Sequence, residues 1–198
     1  MVEIRFHCRW WLRERSHGFS YPDKVRFVTK KNFLAGFTSK RRPLLAQEIT
    51  HLFTNLDGNT LGKTLMIAFA QVADSKEVRS LIWRGKGIAE KHIKLFSQKL
   101  IEDHLPTPSP WDAGVTKSQE SPFSDKLIIN FITFLCASSI GNYGLAMGTS
   151  PRHDLGFLFA RLSMEIASYT EDLADFNIEQ GWMEEPPQAA DRENLADI

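Results

Sequence analysis

The sequence predicts an all-α fold in which four long helices form a bundle. Four segments repeat apolar residues at the three- and four-residue spacing of an amphipathic helix. The corners at residues 73–75 and 148–151 leave room only for a tight turn between antiparallel helices. Between the second and third segments lies a connection of about twenty residues, which is long for a compact domain. This connection contains Pro106, Pro108, Pro110 and Pro122.

The long connection determines the predicted topology. An extended chain covers about 3.3–3.6 Å per residue, so this connection can run the full length of a bundle. The third helix then starts at the same pole as the second, and the two run parallel. The result is an up-down-down-up bundle with one long crossover between helices 2 and 3, which is the connectivity of a ferritin-like bundle.

The first helix is predicted over residues 43–73, with Pro43 in its first turn. Its apolar residues form two stripes, and the step from Leu56 to Leu61 between them contains Asp57 and Gly58. Either the helix breaks at this step or it absorbs one extra residue as a π-bulge, a feature often found at functional sites.

The other three helices have recognisable ends. The second is predicted from the capping signal at 74–77 to about residue 103. The third starts at Ser124, ends near residue 148 and is apolar nearly all round, which is typical of a buried helix. The fourth is predicted to use Ser150 as its cap and Pro151 in its first turn, and to end at Gly181.

Charge is distributed unevenly along a chain whose net charge is zero. Residues 1–42 hold 11 Lys and Arg against 3 Asp and Glu, a net charge of +8, so the remaining 156 residues carry −8. We therefore divide the chain into a basic arm (1–42), a bundle (43–182) and an acidic tail (183–198). The arm could bind nucleic acid or an anionic membrane surface. Alternatively, it docks on the acidic body of its own chain or of a second copy.

Composition narrows the class of protein further. We find no apolar run of bilayer-spanning length and no apolar stretch typical of a signal peptide, which favours a cytoplasmic protein. The two cysteines, Cys8 and Cys136, are too few for a disulfide framework or a cysteine-based zinc site.

A di-iron carboxylate bundle needs a Glu-x-x-His motif on each of two helices and one Glu on each of the others. Only the first helix has the motif, as Glu48 and His51, and the third helix has no acidic residue or histidine after Asp125. A complete di-iron site is therefore not encoded. Glu48 and His51 remain secondary metal candidates, although a glutamate near a helix N-terminus is favourable for electrostatic reasons alone.

Counting about 1.5 Å of rise per residue places Asn59, His92 and Glu165 at one level of the bundle, with Cys136 or Ser138 facing them from the third helix. Three interpretations remain open. The residues form a hydrogen-bonded layer with Tyr169 that fixes helix register. They hold a mononuclear metal, Fe, Mn or Zn, through His92 and Glu165. They form a small-ligand or acid–base site.

Several segments occur in a characteristic order over about residues 25–196, including PLLAQEITHLF, LGKTLMIAFAQVADSKEVR, GKGIAEKHI, IGNYGLAM, SPRHDLG and NIEQGWMEEPPQAADR. In sequence and order they resemble a family of unknown function from spore-forming firmicutes that is similar to spore coat protein F and belongs to the ferritin-like superfamily. The resemblance implies the fold and a link to sporulation, and it implies no catalytic or cofactor-binding residues.

Members of that family commonly carry the domain twice in tandem, and this chain resembles the second copy with its preceding linker. The resemblance implies that Phe27, Phe33, Leu34 and Phe37 pack on a partner domain, and that a homodimer replaces the missing repeat. The leading hypothesis is a structural or interaction protein without catalytic activity, cytoplasmic or spore-associated. The alternatives are a metal-binding or oxidoreductase-type bundle and anion binding by the arm.

Overall fold

The computed structural model describes residues 25, 27–37, 41–192 and 195. In this part of the chain four long helices are the main elements: α1 (Ala46–Val72), α2 (Lys76–Glu102), α3 (Asp125–Thr149) and α4 (His153–Glu179). Short 3-10 helices occur at Lys31–Leu34 in the arm and at Asp112–Gly114 in the crossover. Most of the predicted basic arm, including Cys8, and the last residues of the acidic tail lie outside the described residues.

Contacts at the two poles confirm the up-down-down-up topology. At the lower pole, where α1 begins, Arg41 pairs with Glu102 at the end of α2 at 2.5 Å. At the upper pole, the Asp125 carboxylate at the start of α3 accepts hydrogen bonds from the backbone N–H groups of Asp74 and Ser75, at 3.0 and 2.8 Å. The crossover therefore carries the chain from the lower pole to the upper one, and α2 and α3 run parallel.

The crossover is attached along α1 by polar contacts. Asp112 accepts from Lys63 Nζ at 2.5 Å and from Thr64 Oγ1 at 3.0 Å. Further up, the Gln71 side-chain amide donates to the carbonyl of Thr116 at 2.9 Å. These contacts hold an irregular, proline-containing segment on the outside of the bundle.

Two helix starts agree with the sequence prediction and two differ. Pro43 is not in the first turn of α1, because that helix begins at Ala46 with Leu45 as its N-cap. Ser75 caps α2 and Ser124 caps α3, each accepting a backbone N–H from the first turn. Ser150 does not cap α4, because that helix begins at His153 and the Ser150 hydroxyl has no hydrogen-bond partner. The prediction placed the start of α4 two residues too early.

The predicted break or π-bulge in the first helix was wrong, because α1 is continuous over Ala46–Val72. The prediction assumed that leucines mark the buried face throughout. Instead Leu61 is 49% exposed, and Thr60 and Thr64 are buried. Their hydroxyls donate to helix carbonyls, Thr60 to Asp57 at 2.7 Å and Thr64 to Thr60 at 2.9 Å. The buried face of α1 therefore continues from the leucines to Thr60 and Thr64, and the helix needs no extra residue to keep it in register.

The third helix is less buried than its sequence predicted. Ile128, Ile129, Ile132 and Tyr143 lie in the core, but Leu127, Phe134 and Leu145 are exposed on the opposite side. By length and composition alone α3 is long and apolar enough to cross a membrane, and 28% of its most apolar window is buried within the bundle. That property is shared by core helices of soluble proteins, so it does not by itself show a membrane span.

Part of the arm contacts the lower pole of the bundle. The Arg42 guanidinium lies 4.3 Å from the centre of the Phe33 ring, and the Phe37 ring lies 5.6 Å from that of Phe157 in α4. Phe27 is 85% exposed. Packing of these aromatic residues on a partner domain stays a prediction, although Phe33 and Phe37 already have neighbours in their own chain.

Two helix-interior glycines should respond to alanine in opposite directions. A Cβ at Gly62 would meet no atom within 4 Å, whereas one at Gly85 would lie 2.4 Å from the Tyr169 hydroxyl. We expect Gly62→Ala to raise the free energy of unfolding by about 0.5–1 kcal/mol, because alanine is the better helix former. We expect Gly85→Ala to lower it by about 1–3 kcal/mol through overpacking. Urea unfolding of both variants checks this, and equal effects would contradict the packing described.

Candidate functional site

Three side chains that the sequence predicted at one level meet in the middle of the bundle, and a fourth joins them. His92 of α2 is fully buried, and its Nδ1 lies 3.0 Å from the hydroxyl of Tyr143 in α3. Asn59 of α1 donates to the same hydroxyl at 2.7 Å. His92 Nε2 lies 3.3 Å from Glu165 Oε2 of α4. Each helix therefore contributes one side chain to this central layer, made of Asn59, His92, Tyr143 and Glu165.

The hydrogen bonds of the central layer have a fixed direction. The Asn59 amide nitrogen can only donate, so the Tyr143 oxygen accepts from it and directs its own proton to His92 Nδ1. His92 Nε2 then carries the ring proton and donates to the Glu165 carboxylate. This assignment follows from the requirement that each buried donor meet an acceptor. It makes His92 a neutral imidazole of one defined tautomer.

Electrostatics agree with a neutral His92. Burial lowers its pKa below the ordinary value of 6.5, and the hydrogen bond with Glu165 offsets this only in part. Burial also raises the pKa of the Tyr143 hydroxyl far above its ordinary value, so it stays protonated. Neither group is prepared to act as an acid or a nucleophile near neutral pH.

Glu165 lies at the edge of the bundle. Its side chain is 28% exposed, and Lys91, which is 55% exposed, contacts both carboxylate oxygens at 2.8 and 2.9 Å. Burial acts to raise the pKa of Glu165, but hydrogen bonds and charges of Lys91 and His92 outweigh it and hold the pKa below its ordinary value. The carboxylate is thus ionised and already paired on its solvent side.

The additional partners predicted for the layer, Cys136 or Ser138 of the third helix and Tyr169 of the fourth, were wrong. Tyr169 lies outside the layer and donates its hydroxyl to the carbonyl of Leu81 at 2.9 Å. Ser138 is exposed, and Cys136 is buried without a hydrogen bond to the layer. Tyr143 takes this place because side chains tilt towards the N-terminus of their own helix. In α3 that end is the upper pole, so the long tyrosine side chain reaches up to the level of His92.

The residues supply few ligands for a metal. Among the described residues no group of three or more His, Cys, Asp or Glu side chains is arranged to hold an ion. His92 and Glu165 offer two donors, and the ammonium of Lys91 lies against the carboxylate that an ion would need. A metal with three or four protein ligands does not fit this arrangement. Binding of Fe, Mn or Zn through these two residues stays a prediction.

The secondary candidates Glu48 and His51 separate in space. Glu48 is fully buried at the lower pole, where its carboxylate accepts from both terminal nitrogens of Arg42, at 2.7 and 2.8 Å. The backbone N–H groups of Leu45 and Arg152 also donate to it, at 2.9 and 3.0 Å. His51 Nε2 instead lies 2.7 Å from Thr149 Oγ1. Glu48 therefore joins the first turn of α1 to the start of α4.

Glu48 belongs to a largely buried set of ion pairs, linked by the hydrogen bond from the Arg152 backbone N–H to Glu48. We call this set the lower-pole network, made of Arg42, Glu48, Arg152, Asp154 and Lys99. Arg152 is 1% exposed, and its guanidinium donates two hydrogen bonds to Asp154, at 3.0 and 2.8 Å. Lys99 of α2 lies 3.3 Å from Asp154 on its other side. Burial opposes ionisation of Glu48 and Asp154, but their arginine partners hold both pKa values below the ordinary range.

The model of a family described as a protein of unknown function, DUF3231, matches residues 32–195. The chain belongs to this family. The match includes the arm's short 3-10 helix, all four helices and most of the tail, and it confirms the resemblance to a family of unknown function. The comparison with curated proteins gives no match.

A solved structure supports the fold of this DUF3231 protein. The chain is similar to a candidate spore coat protein from Bacillus halodurans C-125, with a TM-score of 0.69 and 18% sequence identity. The superposition covers 76% of this chain and 98% of that chain. At this level of sequence identity the structural similarity shows that the two proteins share a fold, and it carries no information about activity.

Sequence reasoning missed the two arginines that organise the DUF3231 bundle. Arg42 and Arg152 lie outside the helices, in segments with no periodic pattern, so no helical count could pair them with Glu48 and Asp154. One signal was present in the sequence. Glu48 lies at the third helical position of α1, where a carboxylate often accepts the N–H of the residue that precedes the helix.

Proposed function

We propose that this DUF3231 protein is a non-catalytic interaction protein of the spore that associates with a second copy of itself. The observation that carries the proposal is an uncharged surface formed by α1 and α3, which we call the α1–α3 face. The two helices are neighbours along their length, as the Phe69–Phe131 ring contact, the Asn59–Tyr143 bond and the His51–Thr149 bond indicate.

The α3 half of this face lacks charge. No charged residue occurs between Lys126 and Arg152 in the sequence. Large apolar side chains are exposed on the helix instead: Leu127 (51%), Phe131 (40%), Phe134 (68%) and Leu145 (59%). An apolar surface of this kind, on a helix that could carry lysine or glutamate at no structural cost, is typical of an interaction site.

The α1 half is uncharged as well, because the charged side chains of α1 contact other parts of the chain. Glu48 belongs to the lower-pole network, and Lys63 pairs with Asp112 of the crossover. Asp57 accepts from the indole of Trp111 at 3.4 Å. By contrast, α2 and α4 carry ion pairs on their exposed sides, such as Arg84 with Asp172 and Lys91 with Glu165.

The size and chemistry of the face suit a second copy of the chain. A helix of 25 residues such as α3 is about 37 Å long, and two helices spaced 8–10 Å apart present a width of about 18–20 Å. The resulting area of roughly 700 Å² approaches the ~800 Å² per partner of a standard stable interface. An uncharged face needs an uncharged partner, and two-fold symmetry presents the same face from both copies.

Two further observations support an interaction role. In the central layer the hydrogen-bond donors and the Glu165 carboxylate already have partners within the bundle, so these groups are not free to act as an acid, a base or a nucleophile. The fold neighbour from Bacillus halodurans is named as a candidate spore coat protein, which supports the association with spores. Detection of the protein in purified spores tests this association, and its absence from spores would contradict it.

Anion binding by the basic arm is less well supported. Within the described part of the arm, Arg41 pairs with Glu102 and Arg42 pairs with Glu48. These two cations neutralise carboxylates of their own bundle. This supports the interpretation in which the arm docks on the acidic body of its own chain.

Replacing Phe134 by glutamate should separate the two copies. Sedimentation velocity should show a dimer for the unmodified protein at micromolar concentration and a monomer for Phe134→Glu, because a buried unpaired carboxylate is costly. Met164→Glu is the matched control, since Met164 is 74% exposed on α4, away from the face. It should remain a dimer. A Phe134→Glu protein that sediments like the control would exclude the α1–α3 face as the interface.

A further inference from the structure

A crevice with a volume of about 90 Å³ enters the bundle beside the central layer. All four helices line it, and Asn59 and His92 of the central layer are among the lining residues. The lining residues that are exposed, Gly58 and Leu61, both belong to α1. The crevice therefore opens on the side of α1 and ends against the central layer.

Glycines keep this space open. Gly58 and Gly62 lie one helical turn apart in the interior of α1, and a Cβ on either would meet no atom within 4 Å. Alanine would form a better helix at both positions. Glycine therefore occupies two positions at the entrance of the crevice, where a larger residue would fill the space.

The lining is apolar and carries no charge. Leu65, Met66, Ile88 and Ile166 are among its apolar lining residues. Cys136 also lines the crevice, and burial raises the pKa of its thiol to about 11, so the group is neutral. An ion entering this space would lose its hydration without gaining a countercharge. The lining therefore selects against anions and cations.

The polar groups that remain available are the amide oxygen of Asn59, which can only accept, and the hydroxyl of Ser139, which can donate or accept. The Asn59 amide nitrogen is already used twice, by the Asn55 carbonyl and by Tyr143. Within the described part of the chain neither Asn59 Oδ1 nor Ser139 Oγ has a hydrogen-bond partner, and both residues line the crevice. A ligand hydroxyl can donate to Asn59 Oδ1 and accept from the Ser139 hydroxyl.

We propose that the crevice binds a small uncharged organic molecule with a branched apolar body and one hydrogen-bond donor. A cavity of about 150 Å³ accommodates benzene, so this smaller space of about 90 Å³ encloses about four non-hydrogen atoms, and its open side on α1 leaves room for one more. The crevice is formed within one chain, and its entrance at Gly58 and Leu61 lies on α1, one of the two helices of the α1–α3 face.

Isobutanol is the probe, followed through ¹H–¹⁵N correlation spectra of the full chain. Saturable shifts of the Gly62 and Gly85 amides are expected across the millimolar range. Isobutyrate, an anion of similar shape, should bind at least about tenfold more weakly, a difference of ~1.4 kcal/mol. Equal binding of the two compounds, or shifts that rise without saturation, would overturn the proposal. Both titrations use the unmodified protein.

A pair of variants locates the binding. Gly62→Leu places a side chain in the crevice and should weaken isobutanol binding at least about tenfold. Gly87→Leu is the matched control, since Gly87 is an exposed glycine of α2 that lines no part of the crevice and has open space at its Cβ. Its isobutanol affinity should be unchanged. Undiminished binding by Gly62→Leu would show that the alcohol binds elsewhere, and sedimentation of the same variant shows separately whether self-association has changed.

Discussion

Replacing Arg152 by methionine is expected to lower the free energy of unfolding by about 3–5 kcal/mol, the range measured when one partner of a buried ion pair is removed. Methionine has a similar length and leaves no large cavity, so the change isolates the loss of charge. Asp154, 7% exposed, would keep only Lys99 at 3.3 Å as a cationic partner. The carbonyl of Arg42 would also lose the donor that reaches it from Arg152 at 3.3 Å. Urea unfolding measures the effect.

The matched control is Arg84→Met, which removes an arginine from an ion pair of the same chemical type. Arg84 and Asp172 are 49% and 41% exposed, so solvent screens their attraction. We expect this variant to lose less than about 1 kcal/mol. Similar losses in the two variants would mean that Arg152 is not buried as described and that the lower-pole network does not stabilise the bundle.

The second large effect is expected from Tyr143→Phe, which removes one hydroxyl and keeps the ring. That hydroxyl accepts from Asn59 and donates to His92, so its loss leaves the half-buried amide donor of Asn59 and the buried acceptor of His92 unpaired. We expect the free energy of unfolding to fall by about 1–3 kcal/mol for each group left unsatisfied. Thermal and urea unfolding of the variant measure this loss.

Tyr169→Phe provides the comparison. Its hydroxyl makes one hydrogen bond, to the carbonyl of Leu81, and that carbonyl lies in the first half of α2, where it can also accept from the helix. The variant should therefore lose less stability than Tyr143→Phe. If Tyr169→Phe is the more destabilised of the two, the hydrogen bonds assigned to Tyr143 are incorrect.

The topology and the level of the polar side chains could be predicted from the sequence because both depend on regular geometry. Two tight corners and one long proline-containing connection leave few ways to join four helices. The constant rise of a helix then places Asn59, His92 and Glu165 at one height. The identity of the fourth member depends on side-chain length and direction, and for this reason a count along the backbone selected Cys136 or Ser138 instead of Tyr143.

The lower-pole network and the α1–α3 face were harder to predict, for two physical reasons. Arg42 and Arg152 act from irregular segments whose course depends on tertiary contacts. The apolar character of α3 suggested burial, but hydrophobicity alone does not distinguish a core helix from one that presents its surplus apolar surface to a partner. Only the positions of the neighbouring helices show that Phe134 and Leu145 remain exposed.

The central claim is that the middle of the bundle is a closed, directional hydrogen-bond chain, and the protonation state of His92 tests it most directly. A long-range ¹H–¹⁵N spectrum of the imidazole should show a proton on Nε2 and none on Nδ1. Because burial holds the pKa of His92 below its ordinary value of 6.5, the neutral ring should predominate at that pH. Its contribution to stability should be lost as the pH falls from there through the pKa of the folded protein. One equivalent of Zn²⁺ should leave the spectrum unchanged. A ring protonated on both nitrogens at pH 6.5, or an Nε2 proton displaced by the metal, would contradict the account.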